Sequence, residues 1–223
     1  MAAKRTYGDQ CGIARALDLV GERWALLVVR ELLLGPKRFT DLRRGLPNLS
    51  PDVLSQRLRD LERAGVLSRR TLEPPAAARV YELTERGRAL EGVLMELGRW
   101  GTEAPFPPDG AVFGSDAFIL ALRTVFDPAT AAKLSSRYEL RLDGDRFRVA
   151  VEDGLLALER GAAEDPEATI EAEVGVLAEL LWRGRELEAA LAAGEIRIEG
   201  SKRAVNRFLR LFPAPGPEDQ PQS

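Results

Sequence analysis

The sequence has 223 residues, 45% hydrophobic and 30% charged, with a formal net charge of −3, enough to bury one large core or two small ones. It contains no histidine and a single cysteine, which excludes Cys/His zinc sites within one chain, disulfides within the chain, and Ser-His-Asp or Cys-His nucleophile systems. Because it also lacks a phosphate-binding loop and a G-x-G-x-x-G motif, and no carboxylate pair stands out among 35 acidic residues, we expect no enzyme, no metal site and no cofactor.

Two amphipathic helices are predicted first. The helix over residues 11–20 has one apolar side, formed by Ile13, Ala14, Leu17 and Val20. The helix over residues 22–34 has one face spaced for burial, formed by Trp24, Leu27, Val28 and Leu32. Gly35 and Pro36 end this second helix.

The best apolar run, residues 24–29, is far shorter than the roughly 18 residues that span a bilayer. The first residues also lack the apolar segment of a signal peptide. We therefore expect a cytoplasmic protein without a membrane partner.

The next two helices have the pattern of a helix-turn-helix. A short helix over residues 39–44 precedes a longer one with Ser50 as N-cap and Pro51 as first residue. Its buried stripe is formed by Leu54, Leu58 and Leu61, and its opposite side by Asp52, Ser55, Gln56, Arg59 and Arg63. A helix fits the major groove of DNA, where Gln pairs with adenine edges and Arg with guanine edges.

Two short strands, residues 66–72 and 79–83, are predicted after this helix. A hairpin at this place is the wing of a winged helix, and three of its arginines are candidates for phosphate or minor-groove contacts: Arg69, Arg70 and Arg79.

A last helix of this half is predicted from Thr84 to Trp100, with apolar residues Leu90, Val93, Leu94, Leu97 and Trp100. It lacks a partner within so small a domain, so together with the first helix it is a predicted dimer surface. Three prolines within residues 104–110 indicate a linker. The predicted domains are residues 1–104 and 111–213, separated by a linker over 105–110 and followed by a disordered tail over 214–223.

The two halves differ in charge. Residues 1–104 contain 18 basic and 14 acidic residues, whereas residues 105–223 contain 14 and 21. A basic first half supports binding to nucleic acid, although the charge of the whole chain is negative.

Five segments of the first half resemble the HxlR-type winged-helix regulators: residues 11–17, 20–24, 30–39, 49–65 and 80–87. The resemblance implies a bacterial homodimer that binds double-stranded operator DNA, with the helix after Ser50 as recognition helix. The candidate DNA-contacting residues are Arg43, Ser50, Asp52, Ser55, Gln56, Arg59, Arg69, Arg70 and Arg79. The wing tip departs from the family, because Ala76, Ala77 and Ala78 stand where a polar or basic loop is usual.

Cys11 stands where members of this family often have a cysteine, and in some of them it senses oxidants or electrophiles. Arg15, one helical turn away, would favour its thiolate. The alternative is a small buried side chain without redox function.

The second half predicts an α+β domain, an antiparallel sheet covered by helices on one face. Its strands are predicted at residues 138–142, 147–151, 156–158, 168–174 and 196–199, and its helices at 115–135, 175–183, 185–193 and 202–211. Asp143-Gly144 and Asp153-Gly154 are hairpin turns between alternating strands.

This half resembles the sterol-carrier-type lipid-binding domain through residues 153–155, 165–170 and 194–200 together with Gly184. The resemblance implies a cavity for an apolar ligand, with candidate lining residues Phe118, Phe147, Val149, Leu158, Ile170, Leu177 and Phe208. An ordinary filled core is the alternative, since periodicity does not distinguish the two.

The sequence thus predicts a dimeric transcriptional regulator, a repressor, whose second domain senses an apolar ligand. The competing hypothesis is a lipid or acyl carrier whose winged helix mediates contacts between proteins.

Overall fold

Helices and strands occupy most of the residues that the computed structural model describes, namely 6–73, 77–102, 104 and 114–214. By its internal contacts the chain divides into two units, residues 1–94 and 95–223. The predicted linker 105–110 and residues 215–223 of the predicted tail lie outside the described residues. The predicted domain limits at residues 104 and 213 stay predictions.

The first unit is a winged helix. Its elements are α1 (Gly12–Val20), α2 (Ala25–Leu32), α3 (Phe39–Gly45), α4 (Pro51–Arg63), β1 (Leu67–Thr71), β2 (Arg79–Leu83), α5 (Glu85–Arg88) and α6 (Leu90–Thr102). The last of these, α6, continues into the second unit. Strands β1 and β2 form an antiparallel hairpin, and Lys37 pairs with the outer edge of β2 at Tyr81.

The core of this unit consists of side chains that point inward from its helices and from the hairpin. They are Ala25, Val28, Val29, Leu32, Leu42, Leu54, Leu58, Leu61, Leu67, Val80 and Leu83, and each is buried. The predicted inward face of α2 is partly wrong, because Leu27 is exposed and Val29 takes its place in the core. The predicted stripe of α4 is confirmed.

The helix predicted from Thr84 to Trp100 is two helices, α5 and α6, with a break at Ala89. The Thr84 hydroxyl accepts a hydrogen bond from the N–H of Gly87 (3.1 Å) and donates one to the carbonyl of Gly65 (2.7 Å). A Cβ on Gly87 would collide with the carbonyl oxygen of Val66. Thr84 and Gly87 therefore hold α5 tightly against the entry to β1, and the chain turns into α6 after it.

The second unit contains a five-stranded sheet and helices. Its further elements are α7 (Ser115–Val125), α8 (Pro128–Ala131), β3 (Ser135–Leu142), β4 (Asp145–Glu152), β5 (Leu155–Arg160), β6 (Ala168–Ala172), α9 (Val174–Trp182), α10 (Leu187–Ala192), β7 (Ile196–Gly200) and α11 (Lys202–Arg210). The strand order is β5-β4-β3-β6-β7. The α+β fold class is confirmed.

Two details of this unit differ from the prediction. The pairing of β3 with β6 is parallel, whereas the other three pairings are antiparallel as expected. The helix predicted over residues 115–135 ends at Val125, because Pro128 disfavours helical backbone at Asp127, which instead caps the short helix α8.

The buried face of the sheet follows from strand alternation. Tyr138 and Leu140 of β3 lie opposite Val149 and Phe147 of β4, and all four side chains are buried. Asp143-Gly144 and Asp153-Gly154 form the predicted tight turns with positive φ at both residues of each pair, which is why short polar residues and glycine stand there.

Candidate nucleic-acid interface

The recognition helix predicted from the sequence, α4, has a defined start and a fixed rotation. The Ser50 side chain accepts a hydrogen bond from the N–H of Val53 (3.4 Å), and Pro51 is the first helical residue. Leu54, Leu58 and Leu61 are buried. Because these leucines face inward, the helix presents the opposite side outward.

That outer side, which we call the α4 outer face, consists of Asp52, Gln56, Arg59 and Arg63. Asp52, Arg59 and Arg63 are exposed and Gln56 is half-buried. Ser55 lies at the margin and is also half-buried. The side chains predicted to meet DNA on this helix therefore lie on one surface.

The α4 outer face is internally hydrogen-bonded. Arg59 Nη2 donates to Oε1 of Gln56 (2.7 Å), and Gln56 Nε2 donates to Oδ1 of Asp60 (2.9 Å). The Asp60 carboxylate also accepts from Arg57 Nη1 (3.0 Å) and from Arg63 Nη2. The bonds of Arg59 to Gln56 and of Arg63 to Asp60 are exposed and contribute about 0–1 kcal/mol each, so bases or phosphates can replace these two at small cost.

A concave surface lies beside the start of α4. It encloses about 630 Å³ and is lined by Thr40, Arg43, Arg44, Pro47, Asn48, Leu49, Ser50 and Pro51. Arg43 is exposed on α3, so the structure brings this predicted residue next to Ser50. Two guanidinium groups beside the N-terminus of a 13-residue helix favour an anion such as a phosphate.

The register of the hairpin separates the three predicted arginines of the wing. Arg69 lies opposite Tyr81, and Arg79 lies opposite Thr71, which places Arg69 and Arg79 on one face. Arg70 lies opposite Val80 and therefore on the other face. Residues 74–76 of the wing tip lie outside the described residues.

Two wing arginines have partners within the chain. Arg69 Nη2 pairs with Oε2 of Glu62 on α4 (2.7 Å), and its guanidinium lies 5.5 Å from the ring centroid of Tyr81. Arg70 Nε pairs with Oε2 of Glu82 on the neighbouring strand (2.6 Å). The Arg69 pair connects the wing to α4, whereas the Arg70 pair stays within the wing.

Three residues that matter for this surface were not predicted from the sequence: Asp60, Glu62 and Tyr81. The spacing of Asp60 from Arg57 and Arg63, three residues on either side, is a sequence signal for its ion pairs. Glu62 and Tyr81 gain their roles from the packing of the wing on α4, which no local spacing reveals.

The apolar sides of α1 and α6 are largely exposed to solvent. Ile13 of α1 is 73% exposed, Trp100 of α6 is 72% exposed, and Val93 and Leu97 are also exposed. Cys11 precedes α1 and is exposed in the single chain, so the alternative of a buried cysteine does not describe this structure.

In the second unit, all seven predicted ligand-lining residues are buried: Phe118, Phe147, Val149, Leu158, Ile170, Leu177 and Phe208. Their burial is compatible with a filled core and with a lined cavity, so the ligand site stays a prediction. An open hollow of about 490 Å³ includes one of the seven, Val149, together with Arg137, Arg148, Ala157 and Glu159 from the sheet.

Comparison with known proteins identifies the first half. The sequence model of the family described as HxlR-like helix-turn-helix matches residues 19–106. YvaP of Bacillus subtilis strain 168, an uncharacterized HTH-type transcriptional regulator, is 42% identical over 89 residues, which are 40% of this chain and 82% of YvaP. The chain belongs to the HxlR-like helix-turn-helix family. YodB, an HTH-type transcriptional regulator of the same bacterium, is 35% identical over 94 residues, covering 42% of this chain and 84% of YodB.

Two solved structures match parts of the chain. The reduced form of YodB from B. subtilis is 33% identical, covers 45% of this HxlR-like chain and 100% of its own, and has a TM-score of 0.39. A double mutant of the sec-alkyl sulfatase PisA1 is 16% identical, covers 46% of this chain and 17% of its own, and has a TM-score of 0.42.

The second half of this HxlR-like protein matches the family described as alkyl sulfatase C-terminal over residues 119–218. The expected sterol-carrier resemblance is not confirmed by this match and stays a prediction. Within the described residues, no cluster of three or more acidic or cysteine side chains is placed to hold a metal ion. None of the helices in the described part of the chain is long and apolar enough to cross a membrane.

Proposed function

We propose that this protein is a dimeric repressor that binds operator DNA through α4 and the wing. The two α4 helices of the dimer would enter successive major grooves about 34–36 Å apart. Phosphate contacts would come from Arg43, Arg69 and Arg79, and base contacts from Gln56 and Arg59.

One observation carries this proposal. Arg43 and Ser50 line the concave surface at the start of α4, and Asp52, Gln56 and Arg59 lie on the α4 outer face of the same helix. A winged helix with polar and basic side chains at the start of its recognition helix is suited to major-groove contact.

The exposed apolar sides of α1 and α6 support the dimer. A stripe formed by Val93, Leu97 and Trp100 recurs at helical spacing and is open to solvent in the single chain. Large exposed apolar surfaces mark interaction sites, and a second copy covering α6 would bury this stripe.

Binding to the promoter DNA of the neighbouring gene tests the DNA proposal, measured by fluorescence anisotropy at several salt concentrations. We expect the affinity to fall steeply with salt, and Arg59→Ala to weaken binding to the promoter more than to a scrambled duplex. Arg203→Ala, an exposed helical arginine of the second unit, is the control. Equal loss on both duplexes would assign Arg59 to a phosphate, and no salt-dependent binding at all would overturn the proposal.

Repression is tested with a reporter gene behind the same promoter. We expect reporter expression to rise when the regulator is deleted and to fall again when it is restored. A decrease on deletion would identify an activator.

A second proposal concerns the second unit, which we infer to bind an apolar ligand among the seven buried residues named above. Its match to the alkyl sulfatase C-terminal family and its buried aromatic residues support this inference. Uptake of the neutral dye Nile red by the whole chain tests it, with Leu97→Glu as the control for dye on α6. A folded protein that takes up no Nile red would contradict the proposed ligand site. Uptake of the dye without DNA binding would favour the carrier hypothesis.

A further inference from the structure

An ion pair inside the first unit is unusual in its burial. Glu31 of α2 is 1% exposed and Lys37 is 7% exposed, and Lys37 Nζ lies 2.7 Å from Oε2 of Glu31. The other carboxylate oxygen accepts a hydrogen bond from Arg30 Nη2 (2.8 Å). Buried pairs of this kind contribute little net stability compared with apolar residues of similar size, so this pair calls for a role other than stability.

The Glu31 carboxylate lies against the end of α3. A Cβ on Gly45, the last residue of that helix, would collide with Oε2 of Glu31. Because only glycine leaves room for the carboxylate there, the ion pair and the end of α3 occupy a shared, tightly fitted space. The connection that starts at Leu46 leads from this point directly to α4.

Lys37 also holds the wing. Its N–H donates to the carbonyl of Tyr81 (3.0 Å), and the N–H of Tyr81 donates to the carbonyl of Lys37 (2.8 Å). The ring of Tyr81 in turn lies beside the guanidinium of Arg69, which pairs with Glu62 of α4. Lys37 is therefore bonded to α2 by its side chain and to β2 by its backbone.

We propose that Glu31 and Lys37 are positioning residues that fix the wing relative to the α3–α4 pair and so set the wing's contribution to DNA binding. This inference rests on the proposed DNA-binding function. Without the ammonium group of Lys37, the backbone that pairs with β2 at Tyr81 loses its charged bond to Glu31 of α2. Arg69, which pairs with Glu62 of α4, then loses its fixed position beside that helix.

The test is the salt dependence of binding to a promoter duplex. Lys37→Met keeps the aliphatic part of the side chain and removes the charge. We expect the slope of log affinity against log salt to decrease by about 1, as for the loss of one phosphate contact. Lys37→Arg should restore the slope of the natural protein. Lys202→Met, which breaks an exposed Lys–Glu pair in the second unit, is the matched control and should leave the slope unchanged.

A double-mutant cycle separates positioning from a general loss of structure. If Lys37 acts through the wing, Arg69→Ala adds little in the Lys37→Met background, because both changes remove the same contact. The inference would be overturned if the two substitutions lowered the salt slope additively. It would also be overturned if folded Lys37→Met had the same salt slope as the natural protein.

If Lys37→Met does not fold, the salt slope is measured in the double variant Glu31→Met with Lys37→Met, which replaces both charges by apolar groups. A salt slope equal to that of the natural protein overturns the inference, and a smaller slope supports it. Absence of salt-dependent binding in the natural protein would instead contradict the proposed function itself.

Discussion

Arg59 and Gln56 are hydrogen-bonded to each other on the α4 outer face, with Nη2 of Arg59 donating to Oε1 of Gln56 at 2.7 Å. The amide of Gln56 donates onward to Asp60, whose carboxylate also binds Arg57 and Arg63. Gln56 and Arg59 are thus held in one arrangement, and the Asp60 carboxylate fixes this arrangement through its bond with Gln56.

Asp60→Asn should therefore strengthen binding to DNA of any sequence. It removes a negative charge from the face that approaches phosphates and frees Arg63 from its ion pair, while Arg57 keeps its pair with Glu22, so we expect affinity to rise roughly threefold to tenfold at low salt. Discrimination between the promoter and a scrambled duplex should fall, because a neutral amide at position 60 holds Gln56 less firmly than the carboxylate does. Anisotropy on both duplexes measures this, with Glu96→Gln as control for an i,i+3 ion pair on α6. Unchanged affinity would show that Asp60 lies away from the phosphates.

The substitutions Arg69→Ala and Arg70→Ala in the wing should differ in their effect on DNA binding. Arg69→Ala removes a side chain on the face turned towards α4, so we expect weaker binding to all duplexes and a salt slope smaller by about 1. Arg70→Ala, on the opposite face and paired with Glu82, should change the slope less. The two variants control for each other, since both remove one guanidinium from β1. An equal effect would mean that DNA meets the edge of the hairpin rather than one face.

Thr84→Val should destabilise the first unit by about 1–2 kcal/mol. The substitution keeps the side-chain shape but removes the hydroxyl that caps α5 and donates to Gly65. Urea unfolding followed by circular dichroism measures the free energy of unfolding, and Thr71→Val, at an exposed position of β1 in the same unit, is the control. A change within a few tenths of a kcal/mol would show that water replaces both bonds.

The parts of the fold that could be predicted from the sequence are those with local causes. The bounds of α4 follow from Ser50, Pro51 and three leucines, all within one segment. Alternation and Asp-Gly turns likewise locate β3, β4 and β5. The break at Ala89 has no such signal, because alanine is the best helix former.

The missed features depend on contacts between distant segments. The parallel pairing of β3 with β6 joins residues about thirty apart, for example Tyr138 with Ala168. Burial of Glu31 also depends on Lys37 and on the space left at Gly45, which the pattern of α2 does not reveal. For the same reason, the different roles of Arg69 and Arg70 became clear only from the hairpin register.

Glu139 should make the stability of the second unit dependent on pH. Burial raises the pKa of this carboxyl group. The hydrogen bonds from Arg141 and from the N–H of Ala163, with the charges of Arg141 and Arg146, outweigh burial, so the pKa lies below its ordinary value of 4.5. A lowered pKa stabilises the folded state above about pH 4.5, and this stabilisation is lost as pH falls through the folded-state pKa.

Glu139→Gln should accordingly lower the free energy of unfolding by about 1–3 kcal/mol at neutral pH, with a smaller difference from the natural protein below pH 4.5. Urea unfolding across this pH range measures the difference. Glu152→Gln, at an exposed position on β4, is the control for the loss of one acidic side chain. A difference that stays constant with pH would show that the charge of Glu139 contributes nothing.

Leu97→Glu should convert a dimer into monomers. Leu97 is 44% exposed on α6, between Val93 and Trp100 on the same helical stripe, so a carboxylate there would be buried without a partner if a second copy covers this face. We expect the dissociation constant of the dimer to rise at least 100-fold, measured by sedimentation equilibrium, and DNA affinity to fall with it because two half-sites are no longer bound together. Leu155→Glu, at an equally apolar and even more exposed residue of β5, is the control. A dimer that persists in Leu97→Glu would place the interface elsewhere, and a monomeric natural protein would exclude the proposed two-fold operator complex.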